Sequence, residues 1–397
     1  MSMPLEGIRV IELSRVVTGS FCTMLLGDMG ADIIKVDQPV KSDKPIWGGG
    51  QLLIGEEKKK EAAFNALQRN KQSIAIDLSH DQGKEVFYRL VRKADVVLEC
   101  YRPGIVKRLK IDYETVSNIN SKIIYCSMSG YGQNGPYARL PGHDINYISV
   151  AGVLGLIGDY TGKPIIPLNL IGDFAGGSLH AALGITLAIL ARQKTGIGQY
   201  IDISITDGTV SLMSFLLSRY FTDGYIPKRG ETLLAGVAPM YTSYKTKDAK
   251  YISIGCLEPQ IWANLCKALN REDLIPHAWD KAMWPAIITE FSAIFQTKNR
   301  DEWFEELSKQ DISVAKVLDL NEVASDPQLV HRNMVINITD DKFGTVVQPG
   351  IAIKLSQTPG AIRSLGPTLG EHTDAIMADL GYDAFQISQL RDRGIVS

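Results

Sequence analysis

No CxxC pair and no grouping of histidine with cysteine occurs in the 397 residues, so no spacing suited to a bound zinc ion is present. The five cysteines, Cys22, Cys100, Cys126, Cys256 and Cys266, are odd in number and far apart. That argues against a disulfide framework and predicts buried free thiols in a reducing compartment. There is no excess of one charge: 42 basic against 44 acidic residues leave a net charge of −2. Without a basic field a nucleic acid is not an expected partner, although local basic spots can still hold a small phosphorylated ligand. No charged-then-apolar leader precedes the first strand. The longest apolar stretch, about 179–191, is interrupted by His180 and Gly184 and is shorter than a bilayer crossing needs. No membrane partner is expected, and the reading is a soluble, cytoplasmic protein. Neither G-x-G-x-x-G nor G-x-x-x-x-G-K-[ST] is found, so no dinucleotide fingerprint and no P-loop is available.

What is present is an ordinary globular composition, 45% hydrophobic and 22% charged, long enough for two domains. Short β-rich runs alternate with amphipathic helical ones in the first half. Strands are expected at 8–13, 32–36, 73–77, 95–99 and 122–128, and helices at 21–30 and 81–93. This alternation predicts an α/β fold with a Rossmann-like parallel sheet covered on both faces. Residues 40–71, with Gly48-Gly49-Gly50 and Lys58-Lys59-Lys60, read as a surface excursion holding a short helix at 56–67. A helix is expected from Asp173 to Lys194, a strand at 199–205 and a second apolar helix at 207–220.

After Gly224 the texture changes. A hairpin at 241–246 and 250–255 precedes amphipathic helices near 260–269, 284–295 and 300–309, which predicts a smaller α+β domain. The expected division is 1–224 for the large domain, 225–330 for the small one, and 331–397 for a segment returning to the large one.

Two runs carry the chemistry. Gly142-His143-Asp144-Ile145-Asn146-Tyr147 sets a histidine and polar neighbours in a turn after Pro141, which suits a loop lining a cleft. Asn169-Leu170-Ile171-Gly172-Asp173 ends an apolar segment with an aspartate where the long helix is expected to start. Asp173 reads two ways, as an N-cap or as a chemical group. The following Gly176-Gly177 favour the second, because glycine there lets a ligand carbonyl approach the amides of a helix start. A histidine and a carboxylate presented from two places are what proton removal from one face of a carbon and delivery to the other require. Glu258, just before Pro259, reads on its own as a helix-start residue. Tyr101 and Arg102 follow a strand at the expected ligand edge of a parallel sheet, where Arg102 suits a phosphate. Arg69 and Lys71 precede another strand and could add charge.

These residues resemble the class III CoA-transferase family (CaiB/BaiF type). The likeness runs through Pro4–Ser14, Phe21–Asp32, Tyr101–Gly104, Ser129–Tyr137, Thr195–Asp202 and Gly370–Thr373. It implies a large and a small domain, two chains interlocked like linked rings as a homodimer, and acyl-CoA bound in a cleft at their interface. Gly142–Tyr147, Pro167–Leu170 and Leu257–Gln260 are similar to the alpha-methylacyl-CoA racemase branch of lipid and fatty acid metabolism. That implies an isomerase in which His143, paired with Glu258, and Asp173 move the α-proton of a 2-methylacyl thioester, interconverting its 2R and 2S forms. Gly142, Asp144, Ile145, Asn146, Tyr147 and Asn169 would shape the acyl pocket, with the enolate oxygen at the Asp173 helix start. Arg69, Lys71, Tyr101 and Arg102 would hold CoA, the thioester being substrate and no cofactor or metal being needed. In the transferase branch the same aspartate attacks the thioester, which is the alternative activity. Three departures lie in the nucleotide-binding half: Gln38 where racemases often have arginine, a long 40–67 segment, and Thr18-Gly19-Ser20 in place of Ala-Gly-Pro.

Overall fold

The computed structural model describes residues 2–39, 56–159 and 162–397. They form two compact units, the first from Met1–Ala151, Leu168–Ser214 and Pro327–Ser397, the second from Gly152–Pro167 and Phe215–Asp326. The boundaries expected after 224 and 330 therefore fall after 214 and 326, and 152–167 belongs to the smaller unit. The triple glycine of the expected excursion lies outside the described residues.

The first unit opens with β1 (Arg9–Leu13), α1 (Val17–Asp28), β2 (Asp32–Asp37), α2 (Glu56–Phe64), β3 (Lys71–Ala75), α3 (Asp81–Arg92) and β4 (Val96–Glu99). It continues with α4 (Ile105–Leu109), α5 (Tyr113–Ile119), β5 (Ile124–Ser129) and α6 (Asp144–Val150). A π-helical segment (Leu170–Leu179) then runs into α7 (His180–Thr195), followed by β6 (Tyr200–Ser204) and α8 (Ile205–Leu212). From α9 (Ser214–Asp223) the chain enters the second unit, with β7 (Tyr241–Lys245), β8 (Tyr251–Gly255), α10 (Pro259–Ala268), α11 (Trp284–Phe295), α12 (Arg300–Leu307), β9 (Val314–Val317) and α13 (Leu320–Val323). The tail adds α14 (Pro327–His331), the β10 (Val335–Asp340) and β11 (Gly344–Pro349) hairpin, α15 (Thr373–Asp379) and α16 (Ala384–Asp392) to the first unit.

The six strands of the first unit pair in parallel in the order β3-β2-β1-β4-β5-β6. Successive side chains of a strand point to opposite faces, so a sheet covered on both sides needs apolar residues at every position. Ile11, Leu13, Ile34, Val36, Val97 and Tyr125 pack with α3, α5, α15 and α16. Val10, Ile33, Val96, Leu98, Ile124 and Cys126 pack with α1 and α7. The strand order reverses between β1 and β4, and the loops after such a pair part to leave a crevice at the carboxyl edge.

Three expectations shift. The helix assigned to 207–220 is broken at Met213 into α8 and α9. The helical run expected from Asp173 starts three residues earlier and continues to Thr195, 26 residues in all, so the length argument drawn from 179–191 does not hold. By length and composition that run is apolar enough to cross a bilayer. Its inner side is core, with Ala181, Ile185, Ala188 and Ile189 buried against the sheet. In the second unit β9 adds an unforeseen third strand to the expected hairpin, and Tyr244, Ile252 and Ile254 pack with Trp262, Phe291 and Phe295.

Candidate active site at the carboxyl edge of the sheet

A cavity of about 460 Å³ opens in the first unit where β1, β4 and β5 end. Val16 and Thr18 line it from the loop after β1, Cys100, Tyr101, Arg102 and Pro103 from the loop after β4, and Ser129, Gly130 and Tyr131 from the end of β5. The far wall is Gly142, His143, Asn146 and Tyr147 at the start of α6, together with Asp173. Histidine and aspartate, 30 residues apart in sequence, thus face one space.

The histidine's place is fixed by its neighbours. Asn146 Oδ1 accepts the His143 N–H at 3.1 Å, closing the first turn of α6. The Tyr147 hydroxyl donates to the Gly142 carbonyl, and its ring meets Tyr131 edge-on at 5.1 Å. A Cβ on Gly130 or Gly142 would come within 2.0 or 2.7 Å of the Tyr147 ring, so both positions need glycine for the wedge to fit. Burial, with the negative charge of Asp173, pushes the Tyr147 hydroxyl up to about 12. Tyr147 is a neutral support for the His143 turn.

Asp173 is the fourth residue of the π segment, not its cap. A π turn carries an extra residue per hydrogen-bonded ring and recurs at functional sites, and its start here carries no N-cap side-chain bond. The Asp173 N–H donates to Asp144 Oδ2 at 2.8 Å, and Asn169 Nδ2 donates to Asp173 Oδ2 at 3.2 Å. Burial raises the proton affinity of Asp173, and the Asp144 charge adds to it, while Asn169 and His143 oppose it. The expected enolate site at the Asp173 amide is therefore already occupied by a carboxylate. Gly176 and Gly177 are not exposed for a ligand either. They are buried, and a Cβ on Gly176 would lie 2.5 Å from Thr209 Oγ1 and 2.8 Å from the Ile205 carbonyl. Their role is the close crossing of α8.

The expected pocket residues part company. Gly142, Asn146 and Tyr147 line the cavity, and Asn169 touches it only through Asp173. Ile145 is exposed and Asp144 buried, and neither is in the lining. Of the expected CoA contacts, Tyr101 and Arg102 line the cavity, whereas Arg69 and Lys71 do not. Arg69 is 1% exposed and grips Asp28 with two bonds, 2.9 and 2.6 Å, while its third nitrogen donates to the Pro349 carbonyl. Lys71 Nζ donates to Glu12 Oε2 at 2.8 Å and to the Ser20 carbonyl at 3.1 Å. Their charges are spent inside the fold.

Arg15, which is not among the expected contacts, also stands at this edge. It lies exposed on the loop after β1, donates to Gln38 Oε1 at 2.7 Å, and sits 5.4 Å from the centre of the Tyr101 ring. The carboxyl-edge rule that selected Arg102 applies equally to this loop. Gln38 holds this arginine at the Tyr101 side of the cavity. Below Tyr101, Glu99 is 1% exposed and accepts the Tyr101 N–H at 2.7 Å. Burial pushes its carboxyl up to about 7.

Glu258 belongs to the second unit. It precedes Pro259 at the start of α10, exposed, with no capping bond to the helix. It takes the helix-start position that its sequence neighbours suggest, and its carboxylate has no hydrogen-bond or ion-pair partner among the described residues. The second unit also carries an open cleft of about 770 Å³, lined by Asp159, Tyr241, Ser243, Ser253 and Ser313 among others. Asp159 is its only carboxylate among the described residues.

The sequence profile of CoA-transferase family III matches residues 5–373. The chain is 36% identical to human alpha-methylacyl-CoA racemase over 397 residues, covering 99% of this chain and 98% of that protein. It is 31% identical to the succinyl-CoA–L-malate CoA-transferase beta subunit of Chloroflexus aurantiacus, covering 100% and 98%. A CaiB/BaiF family protein from Brucella suis has a similar structure, with a TM-score of 0.82 at 28% identity over 96% of this chain and all of that one. Profile, full-length relatives and fold agree, and the chain belongs to CoA-transferase family III.

Proposed function

We propose that the protein is an acyl-CoA racemase or epimerase that interconverts the 2R and 2S forms of a 2-methylacyl-CoA thioester. The observation that carries this reading is that His143 and Asp173 line one cavity from two separate elements. In the proposed reaction His143 takes the α-proton from one enantiomer, the charge passes into the thioester as an enolate, and Asp173 protonates the opposite face. In the reverse direction the roles exchange. A carboxylate of ordinary proton affinity is a weak base for a proton on carbon, and burial of Asp173 moves it in the useful direction. Glu258 would orient the imidazole of His143 and stabilise its charged form. Tyr101, Arg102 and Arg15 would receive the CoA moiety, and no metal or redox cofactor is called for. The 36% identity to proteins named as racemases supports the branch.

A second reading follows from relatives named as CoA-transferases at 31% identity. There Asp173 attacks the thioester carbonyl and an acceptor acid completes the exchange. Incubation with one enantiomer in deuterium oxide, with no acceptor acid, separates the two. A racemase incorporates deuterium at C2 and yields both enantiomers. Retention of the proton without acceptor would turn the assignment to the transferase.

The same reading includes an obligate, interlocked homodimer acting in the cytoplasm on fatty acyl substrates. Leu179, Leu183, Leu187 and Leu190 support the dimer, because they form an exposed apolar stripe along one helix face. Sedimentation showing a dimer at all working concentrations is expected, and a fully active monomer would overturn that part.

A further inference from the structure

Asp144 immediately follows His143 yet does not enter the cavity. It is 5% exposed, and its Oδ2 accepts the N–H of Asp173, 29 residues further along the chain. Its Oδ1 is buried with no hydrogen-bond partner among the described residues. An acid that serves only to start a helix is exposed and bonds the amides of its own first turn. Leaving a carboxylate oxygen buried and unpaired costs free energy, and such atoms in a native fold call for a reason. The positive end of α6 offsets part of that cost. The contact is also built from the other side, since a Cβ on Gly172 would come within 2.6 Å of Asp144 Oδ2. Only glycine lets the backbone at 172–173 approach this closely.

We propose that Asp144 is a positioning residue, anchoring the backbone of Asp173 and facing it with a second negative charge from behind the cavity wall. The inference rests on the reading of Asp173 as a proton-transfer group. The titratable groups facing Asp173 are His143, Asp144 and Tyr147, all from α6, with neutral Asn169 from its own helix. The residues that α1 and α8 bring against the π segment, Thr18, Phe21, Ile205 and Thr209, carry no charge, and His180 of α7 bonds the Ala175 carbonyl and not Asp173. Of these neighbours Asp144 alone combines a fixed hydrogen bond to the Asp173 backbone with a like charge. A like charge beside Asp173 makes protonation of Asp173 easier, which is what a group that must both give and receive a proton requires.

The test is Asp144→Asn, which keeps an oxygen for the Asp173 amide and removes the charge, beside Asp144→Ala, which removes both. Two readouts are taken against pH. One is kcat/KM for α-exchange. The other is the rate at which a water-soluble carbodiimide modifies Asp173, followed by peptide mass spectrometry, which reports protonated carboxyl without any turnover. In Asp144→Asn the midpoint of Asp173 modification moves to lower pH and the acid limb of kcat/KM moves with it, at unchanged thermal stability. Asp144→Ala loses kcat further, by about tenfold or more, as the aspartate leaves its productive position. If the wild type exchanges protons and the Asp173 midpoint in Asp144→Asn equals that of the wild type, the proposal is overturned. A shifted midpoint in a wild type that exchanges nothing supports the positioning role while refuting the racemase reading.

Discussion

The first unit holds two sets of buried carboxylates with opposite company. Glu12 and Asp28 each meet a buried cation, Lys71 at 2.8 Å and Arg69 at 2.6 Å. Asp144, Asp173 and Glu99 are buried or half-buried with no ion-pair partner among the described residues. Burial alone would raise the carboxyl of Glu12, but Lys71, Lys35 and the hydroxyl donors around it hold it down at about 2. At Glu99 the bonds from Ser127 and Tyr101, and at Asp173 the bond from Asn169 and the charge of His143, do not outweigh burial, and both proton affinities rise. The paired set sits under β1–β3 and closes the fold, while the unpaired set sits at or just behind the cavity. Between Glu12 on one side and Glu99 and Asp173 on the other, a cation buried alongside decides which way the proton affinity moves.

Removing the unpaired carboxylate that faces the cavity is the most damaging change for activity. Asp173→Asn should lower kcat for α-exchange by roughly 10²–10⁴ while acyl-CoA binding and melting temperature stay near wild type. His143→Ala should do the same for the enantiomer whose proton it removes. Calorimetry and exchange kinetics on the same preparations check both, and near-normal exchange in either variant breaks the distinction drawn here.

The paired set should answer in the other currency. Lys71→Met leaves Glu12 buried without its ion-pair partner, and is expected to cost about 3–5 kcal/mol in denaturant unfolding. Surviving folded enzyme should keep its kcat. A large loss of kcat at full stability would place Lys71 in the chemistry after all.

Glu99 gives a smaller effect of opposite sign. Its folded value of about 7 lies above the ordinary glutamate value of 4.5, so the folded state holds the proton more tightly than the unfolded chain. The resulting stability is complete below pH 4.5 and is lost as pH rises through 7. Glu99→Gln stays neutral, so it should be more stable than wild type at pH 8 by on the order of 2–3 kcal/mol and show a flatter pH profile. Equal stability of the two at pH 8 would show that Glu99 ionises without penalty. The smallest change is expected from Arg102→Ala, where KM for acyl-CoA should rise by about 3–10-fold with kcat intact, as for a partly exposed phosphate contact.

Much of the fold was legible because a covered parallel sheet writes itself as short apolar strands between helices. The carboxyl-edge rule then led to Tyr101 and Arg102, and the His143 turn was visible in its polar neighbours. What failed was anything set by a distant partner. Arg69 and Lys71 look like free charges in sequence, since nothing local says that Asp28 and Glu12 lie 41 and 59 residues away in the same core. The start of the π segment carries no sequence signal, because Asn169 makes no capping bond and Leu170 and Ile171 bring no capping side chain, whereas Asp173 looks like a cap. Gly176 was read as room for a ligand when it is room for α8, a distinction that depends on Ile205 and Thr209 packing against it. Asp144 shares its motif with His143 and was placed in the pocket with it, although one step along α6 turns its side chain into the protein.

The central claim is that Asp173 carries a proton and does not attack carbon. Turnover of acyl-CoA in the presence of hydroxylamine, followed by mass spectrometry of the peptide that contains Asp173, tests it most directly. The account predicts an unmodified Asp173 after many turnovers. A hydroxamate on Asp173, formed only in the presence of acyl-CoA, would contradict it.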